Sequence, residues 1–143
     1  MTADEIRRFI ERYVVLWERA DLRSLVECYT DTAQIESPIF HSVKGRANIE
    51  KSFSDLFRAF DDWDMRVDDI IIDRGPEERA VLAFSSFMTH RGEIFGVPGT
   101  GRKVENSGVF ILRFEDGRIA LDRRLYDFTG FLVQLGVLKA RAV

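Results

Sequence analysis

One cysteine, three prolines and two histidines are all that 143 residues hold of these types, and each scarcity removes a class of function. Cys28 has no partner for an intramolecular disulfide and cannot build a cysteine metal cluster, so it reads as a small buried hydrophobe. His41 and His90 offer two imidazoles at no recognisable ligand spacing with carboxylates, and no metal or other cofactor is expected. No stretch approaches the ~20 apolar residues that span a bilayer, and the amino terminus lacks the apolar core of a signal peptide. A cytoplasmic location is the expectation. Lysine and arginine number 21 against 24 acidic residues, a net charge of −3, with no clustered basic stretch. That balance argues against nucleic acid or a membrane surface as partner. The glycine-rich stretch Gly92 to Gly101 lies between strands and does not open a helix, so it is no phosphate loop. Neither a Ser-His-Asp nor a Cys-His signature is present.

What remains is ordinary globular material with an excess of rings. Apolar residues make up 45% of the chain and twelve are phenylalanine. The length suits one domain, residues 1–143, burying a single core. So much aromatic volume fits a packed interior or a pocket walled by rings around an apolar or aromatic ligand.

Periodicity changes character half-way along. Thr2 and Glu5 form a capping-box pattern, followed by Ile6, Phe9, Ile10, Tyr13, Val14 and Trp17 at helical spacing through Ala20. Asp21 caps a second short helix with Leu22, Leu25, Val26 and Tyr29 on its apolar side, ending near Asp31. Gln34 to Ser37 reads as a short strand stopped by Pro38. Gly45 precedes a third helix with Ile49, Phe53, Leu56, Phe57 and Phe60 inward. From Asp62 onward the period is that of strands: Met65 to Asp73, Arg79 to Arg91, Arg102 to Glu115 and Arg118 to Asp127. Turn chemistry at Arg74-Gly75-Pro76-Glu77 and Glu115-Asp116-Gly117 makes at least two of the pairs antiparallel. Phe131, Leu132, Leu135 and Leu138 suggest a short closing helix. The fold class is α+β: a curved antiparallel sheet, in the form of a cone-shaped α+β barrel, wrapped around about three helices, with a gap in its concave face for a ligand.

The segments RYVVLWERADLRSLVECYTDTAQIESPIF and GVPGTGRKVENSGVFILRFEDGRIALDRRLYDFTGFLVQLG resemble the SnoaL-like polyketide cyclases of the nuclear transport factor 2-like superfamily, which includes ketosteroid isomerase. The resemblance implies the fold just derived, a homodimer, and an aspartate at the end of the last strand acting as general acid/base in an intramolecular aldol closure; Asp127 occupies that place. It does not extend to steroid isomerisation. Tyr13 matches the isomerases' oxyanion tyrosine, but Ser37 stands where their aspartate base would be and Phe110 where their second acidic donor would be, and neither side chain can do that chemistry.

Read from the residues, alternation along the last strand places Ile119, Leu121, Arg123, Leu125 and Asp127 together toward the interior. Asp127 is then a partly desolvated carboxylate and the leading candidate for proton transfer, with helix capping as its structural alternative. Arg123, four residues earlier, would orient a ligand carbonyl or carboxylate. An Arg with an Asp in one cavity also leaves open an epoxide-hydrolase-like arrangement, for which a second aspartate is missing. Asp122 falls on the opposite face in this reading. His90 is the candidate proton shuttle at the pocket mouth, and His41 a pocket residue beside Pro38. Tyr13, Trp17, Phe40, Phe57 and Phe110 are candidate ligand-contacting rings. Three functions follow: a cofactor-independent cyclase, isomerase or lyase for a small cyclic apolar molecule; an epoxide-hydrolase-like enzyme; or a noncatalytic binding or dimerisation module.

Overall fold

A computed structural model describes residues 1–139. The first helix, α1 (Ala3–Glu18), begins with the expected capping box: Thr2 accepts from the Glu5 amide while the Glu5 carboxylate accepts from that of Thr2. Its buried stripe is Ile6, Ile10, Tyr13, Val14, Leu16 and Trp17. Asp21 caps α2 (Leu22–Glu27), which is shorter than the periodicity suggests. The chain enters β1 (Tyr29–Ser37) already at Tyr29, so that side chain belongs to the sheet. After β2 (His41–Lys44), Gly45 adopts φ +82°, which suits a residue without Cβ, and starts α3 (Arg46–Ala59). Then come β3 (Asp64–Arg74), β4 (Glu78–Thr89), β5 (Lys103–Glu115), β6 (Arg118–Tyr126) and α4 (Phe128–Gln134).

Among the described residues the architecture is mixed α+β, a six-stranded, curved, unclosed sheet of order β2-β1-β6-β5-β4-β3 with four helices. The β3-β4-β5-β6 part is the antiparallel meander that the turn residues imply. The pairing of β1 with β6 is parallel, which no local signal announced. Helix residues and the inward faces of β4, β5 and β6 form one apolar cluster that includes Phe53, Phe60, Leu82, Phe84, Phe110 and Leu112. Cys28 lies in it, its thiol donating to the Ser24 carbonyl and pushed up in pKa by burial.

One irregularity controls which side chains face that cluster. Phe114 lies opposite Ile119, but Arg113 lies opposite Leu121, so Ala120 is an extra residue and β6 carries a bulge. Ile119 and Ala120 are both buried, and beyond them the inward parity is even: Asp122 and Arg124 are buried while Arg123 and Leu125 are exposed. Uninterrupted alternation from Ile119 places Arg123, Leu125 and Asp127 inward and Asp122 outward. The bulge reverses that assignment, because a single inserted residue moves every later side chain to the other face.

Candidate functional site

The bulge and the helix stripe together build a buried polar group. Tyr13 comes from α1, Tyr29 from the start of β1, and Asp122 and Arg124 from β6 beyond the bulge. The Tyr29 hydroxyl donates to Asp122 Oδ2 at 2.6 Å and shares a hydrogen bond of 2.7 Å with the Tyr13 hydroxyl. Arg124 donates from Nη2 to Asp122 Oδ2 at 2.8 Å and from Nε to Oδ1 at 3.2 Å. Nη2 also reaches the Tyr29 hydroxyl at 3.3 Å. Asp122 and both phenols are fully buried and Arg124 is 6% exposed. The backbone carbonyl of Tyr29 is gripped in turn by Arg46 Nη2 at 2.7 Å, so the strand entry is fixed at both ends of that residue.

Rings complete the enclosure. The Arg124 guanidinium carbon lies 4.7 Å from the centre of the Phe110 ring, 5.3 Å from that of Trp17 and 5.5 Å from that of Phe53. Cation–π attraction and the fork to Asp122 leave it little freedom. Burial, the largest influence, disfavours the charged guanidinium, but the Asp122 charge, the two phenols and the hydrogen bond to Asp122 together more than offset it, and the arginine pKa is held well above its ordinary value. Burial first, and the Asp122 charge second, raise the pKa values of both Tyr13 and Tyr29. Both remain neutral donors at physiological pH.

In front of this group lies a cavity of about 40 Å³. That is space for a few waters and well short of the ~150 Å³ that takes up one benzene ring, so a ring-sized ligand enters only as the side-chain walls move apart. Its apolar wall includes Trp17 from α1, Leu56 from α3, and Phe84 and Phe110 from the sheet; its polar lining is Ser86, Asn106, Arg124 and Tyr126. Ser86 donates to the Asn106 carbonyl at 2.9 Å. Burial raises the pKa of the half-buried Tyr126 phenol. Close approach of β5 and β6 beside Tyr126 requires Gly108, where a Cβ would stand 2.2 Å from the Leu125 carbonyl oxygen. The hydrogen bonds of Arg124 use Nε and Nη2 alone, so among the described residues Nη1 has no partner.

The structure brings Tyr13, Trp17 and Phe110 to this centre, Tyr13 behind the wall and the other two in it. Phe57 packs 5.6 Å from Trp17 as a ring behind the cavity. The other expected residues lie elsewhere. Asp127 is exposed and caps α4, accepting from the Gly130 amide at 2.8 Å, so the capping alternative describes its geometry. Arg123 is on the outer face, 3.7 Å from Glu36. His41 is exposed at a tight turn with φ +56°, and Phe40 borders a separate groove against α3. His90 is buried beneath the cavity against Phe60, with Nδ1 3.0 Å from Thr100 Oγ1 and Nε2 unpaired. Asp122, Arg124, Tyr29, Asn106 and Tyr126 escaped sequence reasoning. The available signal was Asp-x-Arg on one strand, two charges that must share a face and therefore pair. No group of three or more potential metal ligands occurs among the described residues.

Residues 7–135 match the family model of the SnoaL-like polyketide cyclases. The chain belongs to this family. A stretch of 64 residues is 36% identical to the aklanonic acid methyl ester cyclase DnrD of Streptomyces peucetius, covering 45% of this chain and 43% of the relative. The chain thus matches less than half the length of that relative. Among solved structures, AclR of Streptomyces galilaeus, described provisionally as a hydroxylase, superposes with a TM-score of 0.83 at 27% identity over 97% of this chain and 89% of its own. An LEH-like epoxide hydrolase of M. tuberculosis superposes with a TM-score of 0.70 at 16% identity, over 92% of this chain and 90% of that one, which is a likeness of fold. Within the described residues no helix is long and apolar enough to cross a membrane.

Proposed function

We propose that this SnoaL-like chain is a cofactor-independent enzyme of the cyclase, isomerase or lyase kind, acting on a small apolar carbonyl compound through its enolate. The observation that carries the reading is Nη1 of Arg124, unpartnered among the described residues, a fixed cationic donor on the wall of a largely apolar cavity. A donor held in advance where negative charge develops on oxygen is the largest single contribution in much enzyme chemistry. Asp122 sits one layer behind the wall. Its part is to hold and balance Arg124, and Tyr13 and Tyr29 hold it. In an aldol-type closure the enolate carbon attacks a carbonyl carbon, the C=O π bond breaks, and the resulting alkoxide takes a proton. The proton lost from carbon goes to solvent water, one arrives on the alkoxide oxygen from a neutral donor that water then re-protonates, and there is no change of oxidation state. Tyr126, at the wall and neutral, is the hydroxyl placed to donate that proton.

DnrD is by name a cyclase for a polyketide methyl ester; the small cavity here favours a carbonyl compound of no more than one ring. An epoxide-hydrolase-like reading finds less support, because water activation between two carboxylates and an arginine needs acids in the cavity, and among the described residues none lines it. The test is deuterium exchange at the α-carbon of methyl benzoylacetate followed by NMR. The wild-type protein should accelerate it, and Arg124→Met should lose ~10²–10³-fold of that acceleration. Undiminished exchange in a folded Arg124→Met variant would refute the proposal.

A further inference from the structure

Resting on the reading of this cavity as a carbonyl site, we propose that it selects ligands by charge state, admitting a neutral ketone or ester and refusing the corresponding carboxylate. An arginine in an aromatic pocket ordinarily serves as a carboxylate anchor, offering a positive charge and a planar fork. Here the fork is already occupied. Asp122, fully buried, takes both Nε and Nη2, so the pair brings no net charge to the cavity. Its other contacts, Tyr13 and Tyr29, are phenols that burial keeps protonated. The remaining polar lining groups, Ser86, Asn106 and Tyr126, are uncharged. A carboxylate entering this space loses its water and meets neutral donors and a charge-balanced pair, so no net positive charge compensates its own. A carbonyl oxygen accepts from Nη1 with no such imbalance.

The same geometry makes the selection reversible by one substitution. Asp122→Asn keeps the shape and one acceptor oxygen while leaving the Arg124 charge unbalanced, so the cavity should then prefer the acid.

Methyl benzoate and benzoate are nearly the same size and differ in charge, and neither undergoes the proposed reaction. NMR titration of the isotope-labelled protein at pH 7, following the Trp17 indole N–H and the Arg124 Nε–H, should show the ester binding at least ~10-fold more tightly. In Asp122→Asn the order should invert. Because that variant can fail to fold, the wild-type protein is also titrated with benzoate at falling pH. Only the neutral acid enters, so its apparent affinity should rise about tenfold per pH unit while that of the ester stays level. Equal affinity for the two probes, unchanged by pH, overturns the charge selection and leaves the carbonyl-site reading intact. If neither probe shifts Trp17 or Arg124, both fall.

Discussion

Arg124 and Asp122 stand two residues apart on β6 and face the same way, with Nη2 2.8 Å from Oδ2, so the cation at the cavity wall is held from behind by a carboxylate that solvent does not reach. Removing one member of such a pair strands the other. Arg124→Met should lower unfolding stability by about 3–5 kcal/mol in urea titrations, and the double change Asp122→Leu with Arg124→Met should recover most of the loss. Additive losses in the double variant would show that the two charges are not energetically coupled.

All three tyrosines of the chain, Tyr13, Tyr29 and Tyr126, have pKa values raised by burial. For a group whose folded pKa exceeds its unfolded one, the folded state keeps the proton longer. Stability from these phenols is therefore complete below the ordinary tyrosine pKa of ~10 and is lost as pH climbs above it. The urea midpoint should be level across neutral pH and fall steeply beyond ~10, with tyrosinate absorbance appearing only as the protein unfolds. Tyrosinate forming in the folded state near pH 10 would contradict the burial of the network.

Asp127 accepts from the Gly130 amide and is exposed. Asp127→Asn should leave stability and α-proton exchange nearly unchanged, whereas Asp127→Ala should cost about 1 kcal/mol as the cap is lost. A large drop in exchange for the asparagine variant, at unchanged melting temperature, would restore a chemical role to this carboxylate.

The outer face of the sheet presents cross-strand rows with apolar centres. Asp69, Ala83, Val109 and Leu125 are successive partners in one row, and Ile71, Val81, Ile111 and Arg123 in the next. Ile71 is 60% and Leu125 48% exposed. We expect a homodimer packed sheet to sheet on this face, burying ~1,600 Å² in total, with Ile71→Asp weakening it. A monomer in sedimentation at micromolar concentration would overturn this expectation. Uninterrupted alternation from Ile119 would put Arg124 and Tyr126 on this face; the bulge turns them inward and places Arg123 and Leu125 there instead.

The fold was legible because its signals are local. Thr2 and Glu5 cap their own helix, Asp116-Gly117 turns its own hairpin, and the switch from helical to strand period after Asp62 can be seen within a few residues. Trp17 and Phe110 could likewise be named as cavity rings, because an inward stripe on a helix or strand needs no knowledge of what lies opposite.

The site was legible only in part. The sequence by itself determined an α+β chain with an apolar, ring-lined interior and identified the family resemblance. Tertiary structure decided which charges enter that interior. Ala120, one unopposed residue in the β5–β6 ladder, exchanged Arg123 and Asp127 for Asp122 and Arg124. Parallel pairing of β1 with β6 then brought the Tyr29 hydroxyl to within 2.6 Å of a carboxylate 93 residues away. A bulge reverses sidedness without altering local hydrophobicity, and a parallel pairing is fixed by contacts far apart in the chain, so neither leaves a mark in periodicity.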